Sequence, residues 1–297
     1  MLWVLATLVA VVAQTARNAM QNRLTSQLGT LGAAQVRFLY GLPFSLLFLV
    51  AAAAIAHAPI PAPQGNFLAA VSAGAVAQIG GTALLLAAMQ ARSFSVAIAF
   101  SKTEAVQIAI FGLVLLGDPL TPLRAAAILL TTAGVFVTAV RPGEKWDTNS
   151  VLPALYGIAS GGLYAIAAIG FRGAILALGD GDALVRASTT LVWSLAIQSA
   201  LLGGWLWAFD RRALVGSFAV WKRSLTAGFA GALASQFWFI GFALTAAANV
   251  RTLGLVEVLF AQVVLRRVVR ERVSAREIAG AALIVGGVGL LLLASPR

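Results

Sequence analysis

The sequence contains no cysteine, a single histidine and few charged residues. Without cysteine the chain has no disulfides, no thiolate metal ligands and no thiol nucleophile. The one histidine, His57, precedes the proline-rich stretch APIPAPQGN, where a solvated loop histidine is expected. Charged residues make up 10% and hydrophobic residues 60% of the chain, whereas about a quarter of a soluble domain is charged. The sequence therefore predicts an integral membrane protein.

The sequence also lacks the motifs of several kinds of chemistry. It has no G-x-x-x-x-G-K-[ST] nucleotide-binding loop. Any energy that the protein uses must therefore come from a gradient of solute or ion rather than from nucleotide hydrolysis at such a loop. It has no cluster of acids or histidines at metal-ligand spacing and no nucleophile beside a base. We therefore expect no metal, no cofactor and no enzymatic activity.

Apolar runs long enough to cross a bilayer recur along the chain, separated by short breaks of glycine, proline or charged residues. Since a spanning helix needs about 20 apolar residues, the pattern predicts an all-α integral membrane fold with ten transmembrane helices. The predicted spans are 2–25, 31–56, 66–91, 94–116, 121–140, 150–177, 182–208, 218–247, 250–268 and 275–294.

The net charge is +11, and the basic residues lie between apolar runs rather than on a soluble domain. This distribution favours contact with anionic membrane lipid over nucleic acid. The positive-inside rule assigns one set of loops to the cytoplasm and both termini to the periplasm. The cytoplasmic set contains Arg17, Arg23, Arg92, Arg141, Lys145, Arg211, Arg212, Lys222, Arg223, Arg266, Arg267, Arg270, Arg272 and Arg276, and the opposite set contains Arg124, Arg172, Arg186, Arg251 and Arg297.

A weak internal repeat relates the two halves of the chain. A shift of 153 positions carries Glu104 onto Glu257, Asp118 onto Glu271, Thr121 onto Ser274, Leu130 onto Leu283, Gly134 onto Gly287 and Val135 onto Val288. A shift of 149 carries Arg23 onto Arg172 and Arg37 onto Arg186. With five helices in each half, residues 1–143 and 144–297 would form two inverted repeats around a central cavity.

The two segments TEAVQIAIFGLVLLGDPLTPLRAAAILLTTAGV and VEVLFAQVVLRRVVRERVSAREIAGAALIVGGV share an intramembrane glutamate, an acidic turn and a helix of small residues. In this pattern the chain resembles the EamA branch of the drug/metabolite transporter superfamily, and within it the aromatic amino acid exporters. The resemblance implies a central cavity lined by helices 1–4 and 6–9, with helices 5 and 10 packed outside. It also implies export of amino acids or related metabolites across the bacterial inner membrane, and we expect a monomer.

The chain departs from the family pattern in two places. Ala105 and Val258 follow the two glutamates where relatives often have proline, so no proline kink is expected there. The first helix contains Gln14 and no acid, so the proton exchange of the smaller multidrug relatives does not carry over.

Two charges lie inside the fourth predicted span. Lys102 and Glu104 are two residues apart, or about 200° around a helix, so they cannot pair with each other and each needs its own partner. Glu104 shares a helix face with Ser101 and Gln107, which would line a wet cavity. Lys102 either contacts substrate or forms a structural ion pair.

The two repeat-related acids, Glu104 and Glu257, have two interpretations. They could bind a substrate ammonium or a proton, since intramembrane acids are functional hypotheses by default. Alternatively, each could cap backbone groups or hold an arginine between helices.

Other polar and aromatic side chains could line the same cavity or simply join helices. Amides and hydroxyls would hydrogen-bond a neutral or zwitterionic ligand, and deep aromatic rings would suit an apolar side chain. These candidates are Gln14, Asn18, Gln21, Gln78, Thr82, Gln236, Tyr164, Trp193 and Trp238.

A different solute of the same superfamily remains an alternative: a sugar phosphate, a nucleotide sugar or a cationic drug. A phosphate substrate requires cavity arginines, and Arg37 and Arg186 could serve if they face inward.

Overall fold

The computed structural model describes residues 1–90, 100–139, 148–260 and 274–294, with side chains except at 18, 19, 21–23, 25, 26, 86–90, 139 and 148–150. These ranges form helices and no strand. The helices are α1 (Leu2–Leu39), α2 (Leu42–Ala56), α3 (Gly65–Gln90), α4 (Glu104–Leu116), α5 (Pro122–Ala139), α6 (Thr148–Ala177), α7 (Ala183–Phe209), α8 (Arg211–Ala219), α9 (Trp221–Leu244), α10 (Ala247–Gly254) and α11 (Ala275–Leu293).

Six helical segments in the described ranges are long and apolar enough to cross a membrane: Gln27–Ala56, Gly65–Leu85, Val151–Ala177, Ala183–Phe209, Trp221–Leu244 and Ala275–Leu293. Shorter apolar helices cover Leu2–Arg17, Glu104–Leu116 and Pro122–Thr138. The prediction of an all-α, multi-pass membrane protein is confirmed. The count of ten spans stays a prediction, because the fourth and ninth predicted spans extend into 91–99 and 261–273, outside the described residues.

Several helix bounds differ from the predicted spans. The first helix continues from Leu2 to Leu39 and bends at Gly29, whose φ of 67° is a conformation that glycine adopts without strain. The predicted eighth span, 218–247, corresponds to α9, which begins at Trp221 and ends at Leu244. A separate short helix, α8, precedes α9, because the Asp210 side chain accepts a hydrogen bond from Ala213 N at 3.1 Å and caps a new helix.

The chain divides into two compact units. Unit I comprises Met1, Gly80–Ile169 and Ala246–Arg297, and unit II comprises Leu2–Ile79 and Gly170–Thr245. Each unit takes segments from both halves of the sequence. The predicted boundary between the two sequence repeats, at 143/144, is a different division from these spatial units, and it stays a prediction.

In unit II, α1 packs closely along α9. A Cβ on Gly228 would lie 2.6 Å from the carbonyl carbon of Tyr40, so only glycine permits this approach. Arg172 closes the carboxyl end of α9 by donating from Nη1 to the carbonyl oxygens of Phe242 and Thr245, both at 2.6 Å. The guanidinium thus satisfies carbonyls that have no partner within their helix.

In unit I, α5 and α11 pack against each other through glycines. A Cβ on Gly134 would lie 2.7 Å from the carbonyl oxygen of Gly280 and 2.8 Å from the amide nitrogen of Ile284. A Cβ on Gly287 would lie 2.9 Å from the carbonyl oxygen of Ala127 and 2.8 Å from the amide nitrogen of Thr131. A shift of 153 converts one set of contacts into the other, so the contact between the two helices is reciprocal.

Candidate functional site

The helix around the first intramembrane charges is interrupted. Lys102 and Thr103 form a turn, and α4 begins at Glu104. Thr103 N donates to Phe100 O at 3.2 Å, three residues back, and the Thr103 hydroxyl donates to the same oxygen at 2.7 Å. Such side-chain bonds compete with helical backbone bonds. The prediction of one continuous helix over 94–116 is therefore wrong at this point, although no proline is present.

The second glutamate follows the same kind of break. Leu255 and Val256 form the turn, and the chain becomes helical again at Glu257. Four backbone hydrogen bonds of the first break recur here at a shift of 153. Written from the residue whose amide donates to the residue whose carbonyl accepts, they are 103 to 100, 105 to 102, 106 to 103 and 107 to 103 in the first break. In the second break they are 256 to 253, 258 to 255, 259 to 256 and 260 to 256.

The equivalence continues at the start of the following helices. The Thr121 hydroxyl accepts from Arg124 N at 3.3 Å, and the Ser274 hydroxyl accepts from Glu277 N at 3.2 Å. These pairs are also 153 residues apart. The alignment of Thr121 with Ser274 therefore matches two helix caps of the same type. The nearby aligned pair of Asp118 and Glu271 cannot be compared, because Glu271 lies outside the described residues.

The two breaks are connected by crossed ion pairs. Glu104 at the first break pairs with Arg251 of α10, with Oε1 and Nη2 2.5 Å apart. Lys102 at the first break pairs with Glu257 at the second. The side chains of Glu104 and Arg251 are 10% and 24% exposed. The prediction that Lys102 and Glu104 each have a separate partner is confirmed, and all four groups lie in unit I.

Helix α6 packs directly onto the first break. A Cβ on Gly161 would lie 2.8 Å from the carbonyl oxygen of Ser101 and 3.3 Å from the amide nitrogen of Glu104. Next to it, Gln107 donates from Nε2 to the Thr103 hydroxyl at 2.9 Å and to the Ile158 carbonyl at 3.3 Å. The small residues of α6 therefore allow close helix contact at this position.

We expect Gly161→Ala to lower the free energy of unfolding by about 2 kcal/mol, because its methyl group meets backbone atoms that cannot move without displacing the break. Gly162→Ala is the matched control. Its Cβ would meet only the Oε1 of the flexible Gln107 side chain, at 2.8 Å. Denaturant unfolding of the two variants in detergent checks this prediction, and equal losses of stability would contradict it.

In unit II, the predicted amides form interhelical hydrogen bonds. Trp238 donates from Nε1 to Gln14 Oε1 at 3.0 Å. Gln78 accepts from Gln198 at 2.5 Å, and Gln236 donates to the Ser188 hydroxyl at 2.8 Å. The side chains of Asn18 and Gln21, predicted on the same face as Gln14, lie outside the described side chains.

Sequence reasoning missed the partners on α7, although they are polar residues inside an apolar helix. Gln198 and Ser188 are fully buried. The Oε1 atoms of Gln198 and Gln236 are buried and accept no hydrogen bond from the described part of the chain. A buried acceptor without a donor costs free energy, so both oxygens retain the capacity to accept from a ligand or water.

The remaining candidates are divided between the two units. In unit I, the Tyr164 hydroxyl donates to Thr82 at 3.1 Å, and Ser101 is buried beside the break. In unit II, Trp193 is about one-third exposed and makes an edge contact with Phe67, with ring centroids 6.2 Å apart. A cavity-lining role for Trp193 stays a prediction.

The arginines proposed for a phosphate are not placed as a pair. Arg186 donates to the carbonyl oxygen of Gly179 at 2.6 Å, at the exposed end of α6. Arg37 instead lies beside Arg17. A Cβ on Gly231 would be 3.0 Å from Arg37 Cγ and 3.6 Å from Arg17 Cδ, so this glycine makes room for both stems.

Comparison with known proteins gives a family match over part of the chain and a shared fold. Residues 1–140 match the profile of the EamA-like transporter family. No curated protein matches the sequence. A crystal structure of another protein superposes with a TM-score of 0.74, covering 98% of this chain and 96% of that chain at 18% identity. At this identity the likeness shows a shared fold.

Proposed function

We propose that the protein exports amino acids by secondary transport, because residues 1–140 match the profile of the EamA-like transporter family, whose members move small solutes in this way. The substrates include aromatic or other apolar amino acids and related metabolites. Export proceeds by alternating access across the bacterial inner membrane. The same match supports the prediction that the chain is not an enzyme.

The observation that carries the proposal is the pair of equivalent helix breaks at Lys102–Thr103 and Leu255–Val256. In transporters built from inverted repeats, interrupted helices at corresponding positions mark the substrate site. Ionisable groups within apolar helices mark solute pathways for a separate reason, since they are expensive to keep in lipid. Both features coincide at Glu104 and Glu257.

Reciprocal packing supports the two-repeat arrangement. The α5–α11 glycine contacts and the helix caps at Thr121 and Ser274 obey the same shift of 153 as the breaks. A reciprocal contact is what a two-fold axis between equivalent elements produces. We extend this relation to all ten predicted helices, divided at 143/144.

The charges at the breaks suit a zwitterionic substrate. The crossed ion pairs contain two cations and two anions and are neutral overall: Lys102, Glu104, Arg251 and Glu257. An amino acid also carries one ammonium and one carboxylate. Its ammonium and its carboxylate can therefore each add a contact to these pairs while the site stays neutral overall, so binding brings no net charge into a buried site.

The surroundings of the first break suit an apolar or aromatic side chain. Phe100, immediately before the break, contacts Phe136 edge to face with centroids 5.1 Å apart. Tyr164 lies on α6, three residues beyond Gly161, which touches the break. Aromatic pairs of this geometry contribute beyond their buried area, and a third ring from the substrate could add to them. The face formed by Ser101, Glu104 and Gln107 would then line the path.

One observation favours an anionic solute as a second candidate. Arg17 and Arg37 of unit II converge over Gly231. Two neighbouring guanidiniums are suited to a phosphate oxygen set. A sugar phosphate or nucleotide sugar would use this pair, whereas the crossed ion pairs of unit I have no excess of positive charge.

Counterflow in proteoliposomes distinguishes these candidates. We expect labelled threonine, methionine, phenylalanine and tryptophan to exchange against an internal unlabelled pool, with the apolar members fastest. Liposomes without protein provide the background. If none of the amino acids exchanges while a labelled sugar phosphate does, amino acid export is wrong and the Arg17–Arg37 pair becomes the substrate site.

A further inference from the structure

An apolar groove lies on the surface of unit II between α1, α2 and α9. Its volume is about 470 Å³, within the range that holds a ligand of moderate size. The lining residues are Ala13, Ala16, Met20, Phe44, Leu225, Thr226, Phe229, Ala230 and Leu233. The hydroxyl of Thr226 donates to Arg223 O at 2.9 Å, so it is engaged by its own helix. The groove thus offers an occupant almost only hydrocarbon.

The groove continues to a cation along one stripe of α9. Residues three and four apart lie on the same helix face, so Lys222 precedes Leu225 and Thr226 on the stripe that continues to Phe229 and Leu233. Lys222 is exposed at the first turn of the helix. A lysine at this position can lay its methylene stem along apolar surface and hold its ammonium at the level of lipid headgroups.

The same end of unit II has the features of a membrane interface. Trp205, Trp207 and Trp221 are exposed there, as in the aromatic belts of membrane proteins. The Arg211 guanidinium lies over the Trp207 ring at 3.8 Å, and the Lys222 ammonium is 5.8 Å from the Trp221 ring. Cationic side chains and indole rings therefore lie together at this end of unit II, and the groove extends from this end along α9.

We propose that this groove binds one anionic glycerophospholipid, with an acyl chain between α1, α2 and α9 and the headgroup phosphate at Lys222. Charge complementarity identifies the headgroup, because a lysine near the membrane surface favours an anionic lipid over a zwitterionic one. The lining identifies the chain, because an apolar groove offers no hydrogen bonds to a polar solute. The site is separate from the crossed ion pairs of unit I.

Native mass spectrometry of the delipidated full-length protein tests the proposal. The probes are phosphatidylglycerol, phosphatidylcholine with the same acyl chains, and soluble glycerol phosphate. We expect phosphatidylglycerol to be retained about fivefold more strongly than phosphatidylcholine, and Lys222→Gln to reduce it to the level of phosphatidylcholine. Thr226→Trp places an indole in the groove from an exposed position and should weaken both lipids about tenfold.

Arg212→Gln is the matched control, since it removes one exposed cation from the same interface on α8. It should leave phosphatidylglycerol retention unchanged. An equal loss of phosphatidylglycerol retention in Arg212→Gln and Lys222→Gln would mean that general attraction to the basic surface holds the lipid, and not a site at Lys222. Unchanged lipid retention in Thr226→Trp would mean that the acyl chain does not lie in the groove. Full competition by glycerol phosphate would mean that the site binds phosphate and not a lipid. Each of these results overturns the proposal.

Discussion

Replacing Glu104 with glutamine is expected to abolish counterflow and to lower the free energy of unfolding by about 3 kcal/mol. The Oε1 of Glu104 lies 2.5 Å from Arg251 Nη2, and the glutamate side chain is 90% buried. The variant therefore leaves a guanidinium in an apolar setting without its anion. The free energy is at the lower end for a broken buried pair because Arg251 is about a quarter exposed. Denaturant unfolding in detergent and counterflow in liposomes measure the two effects.

The double variant Glu104→Gln with Arg251→Gln separates structure from transport. Removing both charges avoids an uncompensated ion, so most of the lost stability should return. Transport should stay absent if the charges also serve the substrate. Recovery of both stability and transport in the double variant would make the pair purely structural, and a silent Glu104→Gln would mean that the pair has no role at all.

Gly134→Ala and Gly287→Ala are each expected to lower the free energy of unfolding by about 2 kcal/mol. The added methyl group meets backbone of the opposite helix at 2.7 and 2.8 Å for Gly134 and at 2.8 and 2.9 Å for Gly287. A shift of 153 exchanges the two sets of backbone contacts, and Gly287 also lies against the Thr131 hydroxyl, so its loss should be at least as large. Denaturant unfolding of the two variants, under the same conditions, gives the comparison.

Gly286→Ala provides the control on the same helix. Its Cβ would meet only a side-chain methyl group of Leu130, at 3.8 Å, which is ordinary van der Waals contact. We expect little or no change in stability, or a small gain from the higher helix propensity of alanine. A large loss in Gly286→Ala, or a loss in only one of Gly134→Ala and Gly287→Ala, would contradict the reciprocal packing.

The acids, caps and packing glycines of the repeat could be predicted because each is rare or costly in its setting. A charge inside an apolar helix stands out, and so Glu104 and Glu257 align even at low identity. Thr121 and Ser274 are visible for a similar reason, since a hydroxyl residue before a helix is a start signal. These features are encoded locally, and a sequence pattern can report them.

The break at Lys102 could not be predicted, because neither proline nor glycine marks it. It depends on the Thr103 hydroxyl bonding to Phe100 and on Gly161 approaching from α6. The charge pattern groups Arg251 with the loops opposite the cytoplasm and gives it no partner, whereas it lies in α10 and pairs with Glu104. The partners of the amides were missed for the same reason: Gln78 and Gln198 are 120 residues apart, and only the folded chain brings them together.

Thiol labelling at position 101 tests the proposed transport path most directly, because the protein contains no cysteine of its own. Ser101→Cys changes only one atom type at a buried position beside the break. We predict that a membrane-impermeant thiol reagent labels it from either side, and that substrate changes the two rates in opposite directions. Val114→Cys, at a position that is 72% exposed on an apolar face of α4, should stay unlabelled in lipid. No labelling of Ser101→Cys from either side, or labelling from one side regardless of substrate, would contradict alternating access at this site.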